Sequence, residues 1–270
     1  MRVYGIDFTS RPTRKKPITC LACTLDGTHL AAEELVEWHD FSAFEEALLR
    51  PGPWIAGADF PFGLARRFIE NIGWPETWSG YVERVMQMER KTFRAALDDY
   101  RKDRPPGDKE HRRATDIAAG AISPQKLYGT PVGLMFFEGA KRLMKAGVSI
   151  PGLQQGDPER IVVEAYPGVL ARHLIGRRGY KQDAKAKQTA AQRQARIDLL
   201  NTIQNDGVSH SHGMMVDAPD WLADDPGADH LDALLCAIQA AWSWRHRDSQ
   251  FGLPPDIDPL EGWIADPCVN

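Results

Sequence analysis

Five acids in this chain stand where an acid is costly. Asp7, Asp59 and Glu164 each end a short apolar run (RVYGID, WIAGAD and IVVE), and Asp229 and Asp232 open a Leu- and Ala-rich stretch three residues apart. A charge at the end of a buried strand is unfavourable unless something compensates for it. In α/β sheets the C-terminal ends of strands line the ligand crevice, and acids three apart share one side of a helix. Carboxylates converging there would repel one another, and Mg²⁺ or Mn²⁺, which take oxygen ligands, would neutralise them. Two such ions about 3.5–4 Å apart can activate water and stabilise a leaving oxygen. Taken singly, each acid also suits a plain role: a strand end, a turn cap, or a helix N-terminus favoured by the dipole. The set points to metal-assisted hydrolysis.

The elements that must position these acids follow from pattern. Residues 2–8, 18–25 and 29–38 read as strands, with Asp26-Gly27 as a hairpin signal between the second and third. Residues 41–50 have helical periodicity and stop at Pro51-Gly52, and residues 54–59 form a buried strand, giving the order β-β-β-α-β. Residues 63 to about 150 read as mainly helical, with a helix opening at Thr130-Pro131 and closing at Gly147. Residues 161–164 form another strand, broken by Tyr166-Pro167-Gly168, and residues 185–204 a basic helix. Asp225-Pro226 opens a last helix, with Leu231, Leu234, Leu235, Ile238 and Trp242 on one face. The expectation is one domain over residues 1–270, with a helical insert at about 63–150.

At 43% apolar and 26% charged residues, the chain is too apolar to be disordered and long enough for a large core. No run approaches the roughly 18 apolar residues of a membrane helix. The start, MRVYGIDFTS, has no apolar signal segment, and four cysteines suit a reducing compartment, so a cytoplasmic location and no membrane partner are expected. The net charge of −4 hides an uneven distribution. Residues 84–113 carry an excess of Lys and Arg, residues 172–196 hold eight Lys/Arg against one acid, and residues 206–270 twelve acids against Arg245 and Arg247. The basic segments suit a nucleic-acid partner, and they equally suit solvated helix faces.

GIDFTS, IAGADFPFGL, VVEAYPG and ADHLDALLCAIQAAW together resemble the motifs of a bacterial and archaeal domain-of-unknown-function family described as predicted RNase H-like nucleases. The closing D-x-x-D-A-L also resembles the helix on which Holliday-junction resolvases place two metal-binding acids. The resemblance implies an α/β fold of RNase H-like type, a mixed five-stranded sheet with helices on both faces. It implies a nuclease that hydrolyses phosphodiester bonds through a Mg²⁺ or Mn²⁺ site. Asp7 matches the first-strand aspartate, Asp59 the acid ending the fourth strand, and Asp229 and Asp232 the helix pair. These four would be metal ligands. Glu164 matches the family's E-x-Y-P motif and joins them as a candidate catalytic acid.

Substrate-binding candidates are Arg112 and Arg113, in an R-x-x-D segment that also suits a salt-bridged helix start, and Lys126, beside Tyr128 in a loop. Cys20-x-x-Cys23 lies in a strand, which points its cysteines to opposite faces, so small core residues are expected instead of a zinc site. His210-Ser-His212 reads as an exposed loop, and Trp74 and Trp78 could stack on bases. Two other functions share the core topology. A sugar-kinase or actin-type phosphotransferase would use the first hairpin to cradle phosphate, but residues 9–17 contain no glycine. A non-catalytic nucleic-acid-binding domain would not need every acid.

Overall fold

The computed structural model describes residues 1–269, apart from the side chain of Asp206; Asn270, the end of the acidic stretch, lies outside the described residues. β1 (Arg2–Asp7), β2 (Ile18–Asp26) and β3 (His29–Trp38) form an antiparallel meander. Gly27 turns β2 into β3 at φ 57°, the left-handed region glycine enters without steric cost. α1 (Phe41–Leu48) starts where the Asp40 side chain accepts the Ala43 N–H. β4 (Trp54–Ala58) then runs parallel to β1, with Gly5 opposite Gly57 and Ile6 opposite Ala58.

Five helices follow: α2 (Arg66–Ile72), α3 (Trp78–Met86), α4 (Arg90–Lys102), α5 (Ala114–Ala118) and α6 (Val132–Ala146). β5 (Val148–Ser149) and β6 (Asp157–Glu164) come next, β6 parallel to β4. The chain continues through α7 (Pro167–Ile175), α8 (Ala190–Thr202), α9 (Ser209–His212), β7 (Met215–Asp217) and α10 (Asp229–Arg245). The sheet order is β5-β6-β4-β1-β2-β3-β7, a mixed and mostly parallel α/β sheet. Seven strands stand where five were expected. β5 and β7 are two and three residues long, too short to show alternation, and each adds to an outer edge of the sheet.

Alternation along the strands splits the core in two. Val3, Leu21, Ile55 and Val163 face α7, α8 and α10, whereas Ile6, Ile18, Ala56 and Val162 face α1 to α4 and α6. Cys20 and Cys23 fall into opposite cores and are buried and free, as the strand reading requires. α10 crosses β1, β2 and β4 and is buried on every side over residues 231–243, so the single apolar face expected for it is absent. Two glycines let it lie that close. A Cβ on Gly5 would stand 1.8 Å from the Ala233 carbonyl oxygen, and one on Gly57 2.3 Å from that of Cys236.

Candidate active site

Gly5-Ile-Asp7 and Gly57-Ala-Asp59 repeat one G-x-D spacing on neighbouring parallel strands. Residues two apart share a face, so each aspartate emerges on the side where its glycine admits α10. The first turn of α10 brings Asp229 and Asp232 to the same place. Asp225 fixes that turn: its carboxylate accepts the N–H of Gly227 at 3.1 Å and of Asp229 at 2.7 Å. Between them Ala228, fully buried, is held at φ 62°, a conformation costly for any residue with a Cβ.

Asp7, Asp59, Asp229 and Asp232 line one cleft of about 510 Å³, together with Thr9, Ser10, Lys16, Lys181 and Asp183. Burial, then the charges of Asp232, Asp229 and Asp59, hold the Asp7 carboxyl well above the usual carboxylate range. Burial pushes Asp59 up to about 7, although the Lys181 ammonium draws it down. Asp229 is also raised, by burial first and against the pull of Lys16. A cluster of acids that holds its protons this tightly is short of positive charge.

Two lysines answer part of that shortage, and neither was among the candidates read from sequence. The Lys181 ammonium pairs with Asp232, whose other oxygen accepts the Tyr180 hydroxyl at 2.7 Å. Desolvation pulls Lys181 down, but Asp232, Tyr180 and Asp59 outweigh it and hold it well above its ordinary value. Lys16 donates to Asp229 at 3.2 Å and to Asp183 at 3.3 Å. Both lie in loops; Lys181 falls in the basic stretch 172–196, where only the excess of charge was legible.

Glu164 does not line this cleft. It pairs with Ala58 in the β4–β6 register, so its side chain leaves the sheet on the face opposite Asp59. There it accepts the Phe62 N–H at 2.9 Å and two hydrogen bonds from Arg113, at 2.8 and 2.6 Å. Arg113, expected at the substrate, is instead 1% exposed and buried in the fold. It donates to Asp116, Glu164 and the Glu261 carbonyl, and these acids hold its guanidinium well above its ordinary value against desolvation. The salt-bridged reading of the R-x-x-D segment is the one this geometry fits. Arg112 is exposed, and Lys126 is half-buried with its ammonium 5.2 Å from the Tyr128 ring. Among the lining residues of the cleft, Gly129 lies next to that loop.

Other expectations change as well. Trp74 and Trp78 are core residues, so they offer no face to a base. His212 is no exposed loop residue: it is buried in α9, 3.4 Å from Asp266. In the basic segment 84–113, Arg90 pairs with Glu138, Arg101 with Glu110 and Arg104 with Asp108, which spends much of its charge inside the protein.

A mixed α/β sheet with an acidic cleft at the ends of two central parallel strands defines the class of this protein. The chain belongs to the family described as Protein of unknown function (DUF429), which it matches over residues 5–257. No curated protein and no solved structure matches it significantly.

Proposed function

We propose that the cleft hydrolyses phosphodiester bonds of nucleic acid with a divalent metal, on a core of RNase H-like type. The observation that carries this reading is the meeting of four carboxylates from β1, the end of β4 and α10 in one open cleft, with Asp7, Asp59 and Asp229 all raised. The antiparallel β1–β3 meander with β4 parallel to β1 supports the core; β5 and β7 are then additions at its edges.

The donor set is all oxygen, which suits Mg²⁺ or Mn²⁺. Among the described residues no group of three or more His, Cys, Asp or Glu side chains is arranged so that it could hold a metal ion. Lys16 and Lys181 take up part of the charge instead. Asp7, Asp59, Asp229 and Asp232 would hold the ion, which when bound supplies a Lewis acid and a water of lowered pKa. The chain's own groups do the rest. Thr9, Ser10 and Lys16 stand beside the acids to meet a phosphate. Arg172, Arg177 and Arg178 line a neighbouring hollow of about 410 Å³ next to Tyr180, along which the backbone can track. No nucleophilic side chain is needed.

The test is cleavage of labelled single-stranded and duplex oligonucleotides with Mn²⁺ by wild type and Asp7→Asn. Wild-type cleavage that disappears in Asp7→Asn, with binding that weakens steeply as salt rises, supports the reading. Absence of cleavage, a flat salt response and no effect of Mn²⁺ on the melting temperature would overturn it.

A further inference from the structure

A second cavity, of about 250 Å³, opens off the carboxylate cleft and shares Asp59, Thr130, Met135 and Lys181 with it. Its character is different. Phe60, Pro61, Ile122, Val132 and Tyr166 contribute apolar or aromatic surface, and the Arg113–Asp116–Glu164 cluster closes it on one side. Ile122 is 46% exposed, unusual for a large apolar side chain, and lines this cavity.

Tyr166 is held in place from two directions. Its N–H donates to the Gln239 side-chain oxygen at 3.0 Å, and its carbonyl accepts from the same amide at 3.2 Å. Its ring lies over Gly168, where a Cβ would stand 2.9 to 3.0 Å from the ring's outer atoms. The Y-P-G motif therefore seats a flat ring at the cavity and keeps it there.

Lys181 and Thr130 bring donors at the edge shared with the cleft, whereas the Arg113–Asp116–Glu164 side of the cavity offers acceptors. All five N–H groups of a guanidinium are its donor capacity, and Arg113 directs Nε, Nη1 and Nη2 to Asp116, Glu164 and the Glu261 carbonyl. Asp116 Oδ1 and Glu164 Oε1 each accept one bond from Nη2, which leaves each oxygen a further lone pair. A phosphate would be repelled by these carboxylates. A flat ring that brings N–H donors would stack on Tyr166 and satisfy them.

We propose that this cavity holds one unstacked nucleobase of the strand whose phosphate lies in the adjoining cleft. The protein would then act at single-stranded or distorted positions, where a base is free to leave its stack. The inference rests on the nucleic-acid reading of the cleft and adds the base to it.

The probe is a set of single-stranded oligonucleotides in which one abasic site is walked along the sequence, bound to the intact protein in Ca²⁺ so that binding is read apart from cleavage. One position should weaken binding about tenfold when its base is missing, the scale of one lost base–aromatic stack. In Ile122→Asp, which sets a carboxylate at an exposed wall of the cavity, that position should lose its effect, and Ile122→Leu should restore it. If every abasic oligonucleotide binds wild type equally, the cavity holds no base, while the cleft reading stands as long as intact strands bind. If intact strands neither bind in Ca²⁺ nor are cut in Mn²⁺, both readings fall.

Discussion

Asp59 and Glu164 end neighbouring parallel strands, yet they belong to opposite kinds of chemistry. A difference of one position in register sends Asp59 towards α10 and Glu164 to the other face of the sheet. Glu164 meets a guanidinium whose donors are used up by it, Asp116 and a carbonyl, so the charge of this cluster is largely balanced from within, although its carboxylates can still accept. Asp59 meets three more carboxylates and two lysines, so its side of the sheet is under-neutralised. An acid at a strand end is therefore not a functional signal by itself. The partners its face supplies decide whether it is structural or poised to bind something.

The largest test of that contrast is to break the balanced cluster. Arg113→Met leaves Asp116 and Glu164 buried without their cation and should cost about 3–5 kcal/mol in urea unfolding. A loss below about 1 kcal/mol would show that the cluster was never balanced by Arg113.

pH tests the cleft next, with Glu164, also raised by burial against the pull of Arg113, adding in the same direction. A carboxyl raised in the folded state binds its proton more tightly there than in the unfolded chain. Its contribution is fully present below the ordinary value of 3.8 and is lost as pH rises through about 7, the value for Asp59. Stability without metal should therefore fall between pH 4 and pH 8, on the order of a few kcal/mol once Asp7 is added. Mn²⁺, competing with those protons, should raise the melting temperature more at pH 8 than at pH 5. The opposite trend with pH would mean that the open cluster is already neutralised.

Asp7→Asn should leave the metal-free protein as stable as wild type or more stable by about 1 kcal/mol, because it relieves repulsion between partly screened charges. It should also abolish the Mn²⁺-induced shift. A mutant that melts several degrees lower would place Asp7 with the structural acids.

The smallest effect concerns the turn into α10. Ala228→Gly removes the left-handed strain at φ 62° but loosens the unfolded chain, for a net gain of about 0.5 kcal/mol in thermal unfolding.

Much of this arrangement was legible in the residues. Short apolar runs and the Asp26-Gly27 turn located the first four strands, and the acid-ended runs with the i,i+3 pair located the four acids that share the cleft. Three things were hidden. β5 and β7 are too short for alternation to register. Which face Glu164 takes depends on the register of β6 against β4, which its own sequence does not state. Lys16, Lys181 and Tyr180 come from loops, whose direction is set by packing and not by periodicity. One signal was there to be used: the G-x-D repeated in GID and GAD, glycine for the close helix and aspartate for the site on the same face.

That pair of glycines has a consequence for motion. Binding loops usually belong to the least stable parts of a protein, opening locally while the core stays shut. Here Asp229 and Asp232 ride on a helix pressed backbone-to-backbone against β1 and β4, the strands that lead to Asp7 and Asp59, so α10 cannot lift away without taking the centre of the molecule apart. The amide of Asp232, bonded to the Ala228 carbonyl at 2.8 Å, should exchange its hydrogen as slowly as the core strands, through global unfolding alone. The spacing of the four acids would then be as permanent as the fold itself, and adjustment to a ligand would be left to the lysine-bearing loops around them.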